Sequence, residues 1–542
     1  MAFWLPHSVR SLLSNHPKLK ERCTAFASTV LTGSLLVAAT VVVAREIGAI
    51  KGFELGAYDS LMRLRPDEGP DNRVVVVGIS EQDIQSRKEY PLQDRTLAQL
   101  LDTLEQYEPR AIGVDIARDV PQGELNDAEW KELSQKLEQL LRDTRRFMDQ
   151  GAGRDNLTRQ IDGLEAIITR ETGRAAMTKK FAEGDSIIAA CKLNEADDPG
   201  LPPAPGTPPD RVGFADFAQD PKGVIRRGIL LAVPGETTVP ITNPHLCNDP
   251  SPENLLISMD LAMAIRYLEP EGIVPTQTED GEIQIGQAVF KRLGSQVVGY
   301  NDTGASDYQI MINYRSAQRP ARIISLSDVL AKNVEADWIK DKIVVVGYTS
   351  ELARDIFVTP YSGANSSASN GQSLMPGAVI HAQIVSQIVS AALGERSLIW
   401  YWPRGVEIAW IVGWSIVGGS VAWFVRRFWM YALSLGISFG VLYGICYGLF
   451  VVSGWIPLVP PAIALFGSAI GVALFDRANK SGYTQAIYEQ VREQVKVVLK
   501  PKIEIDEEKR ARQVAEITES GYFQDLVARA KTIREQRAQQ EK

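Results

Sequence analysis

Polar side chains able to hold a ligand or move a proton cluster, in sequence, at the ends of short apolar, β-branched runs. Glu81 follows the run from Val74 to Ile79, Asp94 and Arg95 open the next amphipathic stretch, Asp115 sits in Ala111 to Ile116, and Asp355 and His381 follow Ile343 to Val346. Convergent polar groups in a mostly apolar cleft orient a small polar ligand. Open α/β sheets carry such clefts at the carboxyl ends of their strands. The same residues also fit a plainer arrangement in which Asp94 caps a helix, Asp115 pairs with Arg95 and His381 bonds a loop carbonyl. Hydrolytic chemistry finds little footing. Gly436-Ile437-Ser438-Phe439-Gly440 matches the G-x-S-x-G pattern of serine hydrolases. It lies within a long apolar run, however, and none of the four histidines, His7, His16, His245 and His381, lies in such a run. No H-E-x-x-H, C-x-x-C, P-loop or dinucleotide fingerprint occurs, so neither a metal nor a cofactor is expected, and no enzymatic activity.

The elements that would position these residues alternate between strand and helix. Ile343 to Val346 is apolar on both faces, as in a fully buried parallel strand. The helix after it repeats Val379, Ile380, Ile384, Ile388, Val389 and Leu393 at three- and four-residue steps, with Gln383 and Gln387 expected on a polar face. Strands are expected at 74–79 and 111–116, joined through a helix that carries Leu97, Leu100, Leu101 and Leu104 and takes Asp94 as its N-cap. Such a β-α-β unit is right-handed. The expected fold is an α/β domain with a mixed, largely parallel sheet flanked by helices. Residues 127–181 read as an inserted helical hairpin, and 199–209 as a proline-rich surface connector.

Four runs of apolar residues, at 24–44, 406–425, 430–452 and 456–475, are each about long enough to cross a hydrocarbon core. They predict an α-helical bundle of four spans in the lipid bilayer of a cell (inner) membrane. The first run exceeds a usual signal-peptide core, which favours a retained anchor over a cleaved leader. Arg426-Arg427, Arg477 and Lys480 mark the cytoplasmic side. Both termini, the leader 1–23 and the helical tail 476–542, are then cytoplasmic, and residues 45–400 form a large external domain. Gly436, Gly440, Gly444 and Gly448 fall on one face of the third span, and Gly467 and Gly471 repeat the spacing in the fourth. Small residues on one stripe let helices approach closely, within the bundle or between copies. A net charge of −8 without a long basic run excludes nucleic acid as a natural partner.

The order Tyr58-Asp59, Arg63-Leu64-Arg65, Ser80-Glu81, Pro91, Asp94-Arg95, Gly113-Val114-Asp115, Asp355, Thr359-Pro360, Pro376-Gly377 and His381-Ala382 resembles the type-two CHASE domain family. The likeness runs from about Glu54 to Leu398, and the three following spans match that family's usual arrangement. It implies an extracytoplasmic sensor. Members commonly continue into a cyclase or kinase, whereas the tail here lacks the glycine loops and metal-binding carboxylate pairs of either. The expected function is therefore a receptor module that binds an unknown small ligand or partner and signals to a separate protein, or through self-association. A structural subunit of a membrane complex is the alternative. Cys191 and Cys247 both fall in the external region, where an oxidising compartment permits them to pair; two separate buried thiols are the other possibility.

Overall fold

The computed structural model describes residues 25–119, 122, 173–294, 300, 307–317, 319–362 and 374–480, with scattered helical positions between 135 and 142 and between 512 and 534. Most of the inserted hairpin and of the tail lies outside the described residues. The chain forms two compact units, Met1–Ala473 and Leu474–Lys542. In the second, the described positions are helical, and those at 527–532 are exposed.

The chain passes through a π-helical turn, Ala27–Leu31, into α1 (Thr32–Glu46), and then α2 (Lys51–Leu64). Six strands follow in sequence: β1 (Asp71–Ile79), β2 (Ala111–Asp115), β3 (Ile187–Cys191), β4 (Val212–Phe214), β5 (Ala321–Ser325) and β6 (Ile343–Tyr348). They pair throughout in parallel, in the order β5-β1-β6-β2-β3-β4. The antiparallel pairing belongs to separate small sheets, the largest built from Ala218–Asp220, Val224–Ala232, Leu256–Ile257 and Tyr308–Met311.

The run of β-branched residues explains why β1 and β6 are central. Val75, Val77, Val344 and Val346 face one helical layer, made by α4 (Asp94–Glu105) and the helical segment 173–183; α3 (Glu81–Arg87) precedes it. Val74, Val76, Ile343 and Val345 face the other, made by α5 (Met259–Leu268) and α6 (Gly377–Ala392). Each fully buried valine contributes about 1.5–3 kcal/mol by leaving water.

Helix α6 departs from the amphipathic expectation, because all of its 16 residues are buried. It lies between the parallel sheet and the antiparallel one. Gln383 and Gln387 do not face solvent; they bond backbone. Gln387 accepts from Asn313 N at 2.7 Å and donates to Met311 O at 3.0 Å, and Gln383 accepts from Arg315 N at 2.8 Å. The two amides thus satisfy the backbone edge of 311–315 as a neighbouring strand would.

Cys191, at the end of β3, and Cys247 form a disulfide that closes a separation of 56 positions. Along 201–209 Ala204 is buried, Gly206 and Pro209 are exposed and the rest are half-buried.

Four helices are long and apolar enough to cross a membrane: Ala27–Glu46, α7 (Arg404–Phe424), α8 (Phe428–Val451) and α9 (Val459–Lys480, apolar to Arg477). Ser34 Oγ donates to Ser415 O at 3.0 Å, Ser415 Oγ donates to Ser34 O at 2.7 Å, and the Ser415 hydroxyl also meets that of Ser468. Closest approach occurs at Gly418, where an added Cβ would stand 2.0 Å from Leu465 O, and at Gly419, where it would meet Ser34 Oγ at 2.5 Å. Gly467 and Gly471 face Val37 at 3.1 and 3.8 Å. The stripe Gly436, Gly440, Gly444 and Gly448 points elsewhere: nothing in the described chain lies within 4 Å of a Cβ at any of them. Leu435, Leu442 and Cys446 on the opposite face of α8 make its intrachain contact.

Candidate ligand-binding cleft

A cleft of about 810 Å³ opens beyond the carboxyl ends of β6, β2, β3 and β4, bordered by Asp115, Arg118, Asp216, Phe217, Tyr348 and Asp355. Ligands of open α/β sheets commonly sit at such carboxyl ends of parallel strands.

One end is acidic. Asp115 is the last residue of β2, Asp355 follows a short turn after β6, and His381 lies in the first two turns of α6. The His381 imidazole is buried. Its Nδ1 lies 2.8 Å from Asp260 Oδ1, its Nε2 lies 3.6 Å from Asp115 Oδ2 without a hydrogen bond, and the Phe217 ring sits 4.5 Å away between centroids. Two glycines let these groups converge. A Cβ on Gly347 would meet Ala378 at 2.8 Å, and one on Gly377 would meet the Asp355 carboxylate at 2.7 Å. Asp260 is set on α5 two residues after Ser258, which caps that helix by accepting from Leu261 N at 3.2 Å.

Burial alone would lower the His381 imidazole, but the carboxylates of Asp260 and Asp115 outweigh it and raise the group to about 9. Burial, with the adjacent Asp115 carboxylate, pushes Asp355 up to about 7; burial likewise raises Asp115 and Asp260. At neutral pH the imidazole is therefore cationic and surrounded by carboxyl groups that hold protons unusually well.

The opposite wall carries Arg118, three residues past the end of β2 and only 2% exposed. Its nearest charge is Asp94, with Nε 3.7 Å from Oδ1, too long for a hydrogen bond. Asp94 instead accepts from Arg174 at 3.2 Å. It is not the N-cap of α4; Gln93 occupies that position, and Asp94, the first helical residue, turns inward to the two guanidinium groups. Arg95, one step round the helix, is exposed and borders neighbouring grooves, not the cleft itself. Glu81 is exposed in the first turn of α3, bonded to Gln85 at 2.9 Å. Asp115 and Asp355 thus border the cleft, His381 lies buried behind Asp115, Asp94 stands beside Arg118, and Glu81 and Arg95 stay outside. Among the described residues no group of three or more His, Cys, Asp or Glu side chains is arranged to hold a metal ion.

A family model described as the CHASE2 domain matches residues 35–420. The chain belongs to the CHASE2 family. No curated protein and no solved structure matches it. CHASE2 is a sensor-domain family, so this chain joins an α/β sensor domain to four helices long and apolar enough to cross a membrane. Several of the motif residues that carry the likeness brace this CHASE2 domain instead of lining its cleft. Asp59 pairs in bidentate fashion with Arg226 at 2.7 and 2.7 Å, and Arg63 donates to Pro360 O at 2.8 Å. Tyr58 packs edge-on to Phe450 of α8 and to Trp455, with centroids 5.3 and 4.9 Å apart.

Asp115, Asp355 and His381, which the sequence places near strand ends, come together in the fold. Asp260, Arg118, Asp216 and Phe217, which stand with them, are not singled out by the sequence pattern. Arg118 alone left a signal, since Ala117-Arg118-Asp119 directly continues β2.

Proposed function

We propose that this CHASE2 chain is a membrane-anchored extracytoplasmic sensor. A small ligand occupies the strand-end cleft, and the change passes through α6 and the membrane helices to a separate cytoplasmic partner. Both termini are then cytoplasmic, and the α/β domain external. The disulfide agrees with an oxidising compartment.

The observation that carries this reading is the continuity from cleft to lipid. α6 begins at Gly377, against the carboxylate of the cleft residue Asp355, and Gln387 on the same helix accepts from Asn313 N at 2.7 Å. The Asn313 side chain donates to Ser397 O at 2.9 Å and Ser453 Oγ at 3.1 Å, reaching the link between α8 and α9. Glu54 of α2 accepts from Leu458 N and Val459 N, at 3.1 and 2.8 Å, at the start of α9. A ligand that binds one packing of this network better than another shifts its population. The outward stripe of Gly436, Gly440, Gly444 and Gly448 supports self-association of α8 with a second copy.

The test is thermal unfolding of the full chain in mild detergent with the small-molecule fraction of a cell extract. A binder raises the melting temperature by mass action, and Asp355→Asn should remove the effect. A melting temperature unmoved by every fraction would leave only a structural role.

A further inference from the structure

The two walls of the cleft differ in chemistry, and the difference specifies a ligand. Arg118 is 98% withdrawn from solvent on one wall, and its Nε and Nη2 have no hydrogen-bond partner among the described residues. A buried guanidinium with unmet donors lacks a planar acceptor, and a carboxylate supplies two oxygens in matching geometry. The cleft is also bordered by the carboxyl groups of Asp115, Asp216 and Asp355. Acidic side chains outnumber basic ones around the cleft, and the second basic group there, Lys192, is already paired with Asp198. A simple anion would meet Arg118 and leave the carboxyl groups of Asp115 and Asp355 unused. A simple cation would leave Arg118 with the Asp94 carboxylate alone, 3.7 Å away and outside hydrogen-bond distance.

Taking the sensor reading as its basis, we infer that the ligand is a small zwitterion, an α-amino acid or a close analogue, whose carboxylate lies on Arg118 and whose ammonium lies between Asp115 and Asp355. The scale fits. Asp115 and Arg118 are three residues apart, so their Cα atoms are separated by at most about 11 Å, and the cavity of about 810 Å³ admits a molecule of this size with a side chain. Asp94 is a positioning residue here: buried beside Arg118 and bonded to Arg174, it keeps the guanidinium on the wall without satisfying its donors.

The experiment uses the full chain in mild detergent and follows thermal unfolding and calorimetric titration. The probes are glycine, the common L-amino acids, 4-aminobutyrate and glycine betaine, with acetate, inorganic phosphate and methylammonium as single-charge controls. At least one amino acid should bind saturably and raise the melting temperature, while the single-charge probes at equal concentration do not. Arg118→Gln should weaken that amino acid at least tenfold, Arg118→Lys less, and Asp355→Asn at least tenfold. The unliganded melting temperature of each variant reports whether it folds. Binding by acetate or phosphate alone, by methylammonium alone, or by an amino acid whose affinity survives Arg118→Gln overturns the inference, as does silence from every zwitterion. The sensor reading fails separately. If an extract component other than a zwitterion binds and Asp355→Asn abolishes it, the cleft is a sensor site with a different ligand; if no extract fraction binds, both readings fall.

Discussion

His381 on α6 and Asp260 on α5 stand 121 positions apart in the chain and meet at 2.8 Å in the layer beneath the parallel sheet. Their contact welds the helix that starts at the cleft to the helix packed under β2 and β3. A buried ion pair is costly to break from one side, because the remaining charge has no water to turn to. His381→Leu should therefore destabilise the domain by roughly 3 kcal/mol, read as a lowered denaturation midpoint with an unchanged slope.

Stability should fall as pH rises. His381 moves from 6.5 to about 9 on folding, so its contribution is complete below about 6.5 and lost as pH climbs through about 9. Asp355 moves from 3.8 to about 7; the folded state keeps a proton that the unfolded state releases, and stability declines between those values. Both trends have one sign. The melting temperature should drop by several degrees between pH 5 and pH 9. Asp355→Asn should flatten the acidic half of that slope, and a slope identical to the parent's would refute the assignment.

Reduction should loosen the end of β3. Closing 56 positions through Cys191–Cys247 constrains the unfolded chain by about 4 kcal/mol on the loop-entropy model. Cys247→Ser, or reductant, should lower the melting temperature of the α/β domain, and reductant should not affect the Cys247→Ser variant further.

Glycines of the membrane helices should divide into two classes. Gly418→Ala forces a methyl group against Leu465 O, where the gap is 2.0 Å, and should cost about 1–3 kcal/mol as α7 and α9 separate. Gly440→Ala meets nothing within 4 Å and should leave the melting of a single copy within about 0.5 kcal/mol. Cross-linking in the membrane is the readout that Gly440→Leu should alter, by blocking close approach of a second α8.

Asn313→Ala removes the side-chain bonds to Ser397 O and Ser453 Oγ and should cost about 1–2 kcal/mol. It leaves the cleft walls untouched. Ligand affinity should persist while ligand-dependent change at the α8–α9 link disappears; loss of binding itself would place Asn313 in the site.

The parallel sheet was legible because its strands are buried on both faces, so Val74 to Ile79 and Ile343 to Val346 stand out as unbroken β-branched runs. Asp115 was legible as a polar residue within such a run, and Asp355 as one that follows it. Asp260 was not, since an acidic residue in a first helical turn looks like ordinary dipole complementation, and only the crossing of α5 and α6 shows its partner. Asp94 was read as a cap on the same grounds, yet Arg174 and Arg118 draw it inward. Gln383 and Gln387 looked exposed because periodicity cannot reveal a second sheet over the polar face. The glycine pattern indicated close packing, but which stripe packs within the chain depends on the crossings: Gly418 and Gly419 do, and Gly440 faces outward.

The central claim is that the cleft at the strand ends communicates with the membrane helices through α6. Hydrogen exchange of the full chain in lipid nanodiscs, with and without the stabilising extract fraction, tests it most directly. The account predicts slower exchange at 115–119, 353–357 and 377–385, together with altered exchange at 393–404 and 452–458. Protection confined to the cleft, or absent from it, would contradict the account.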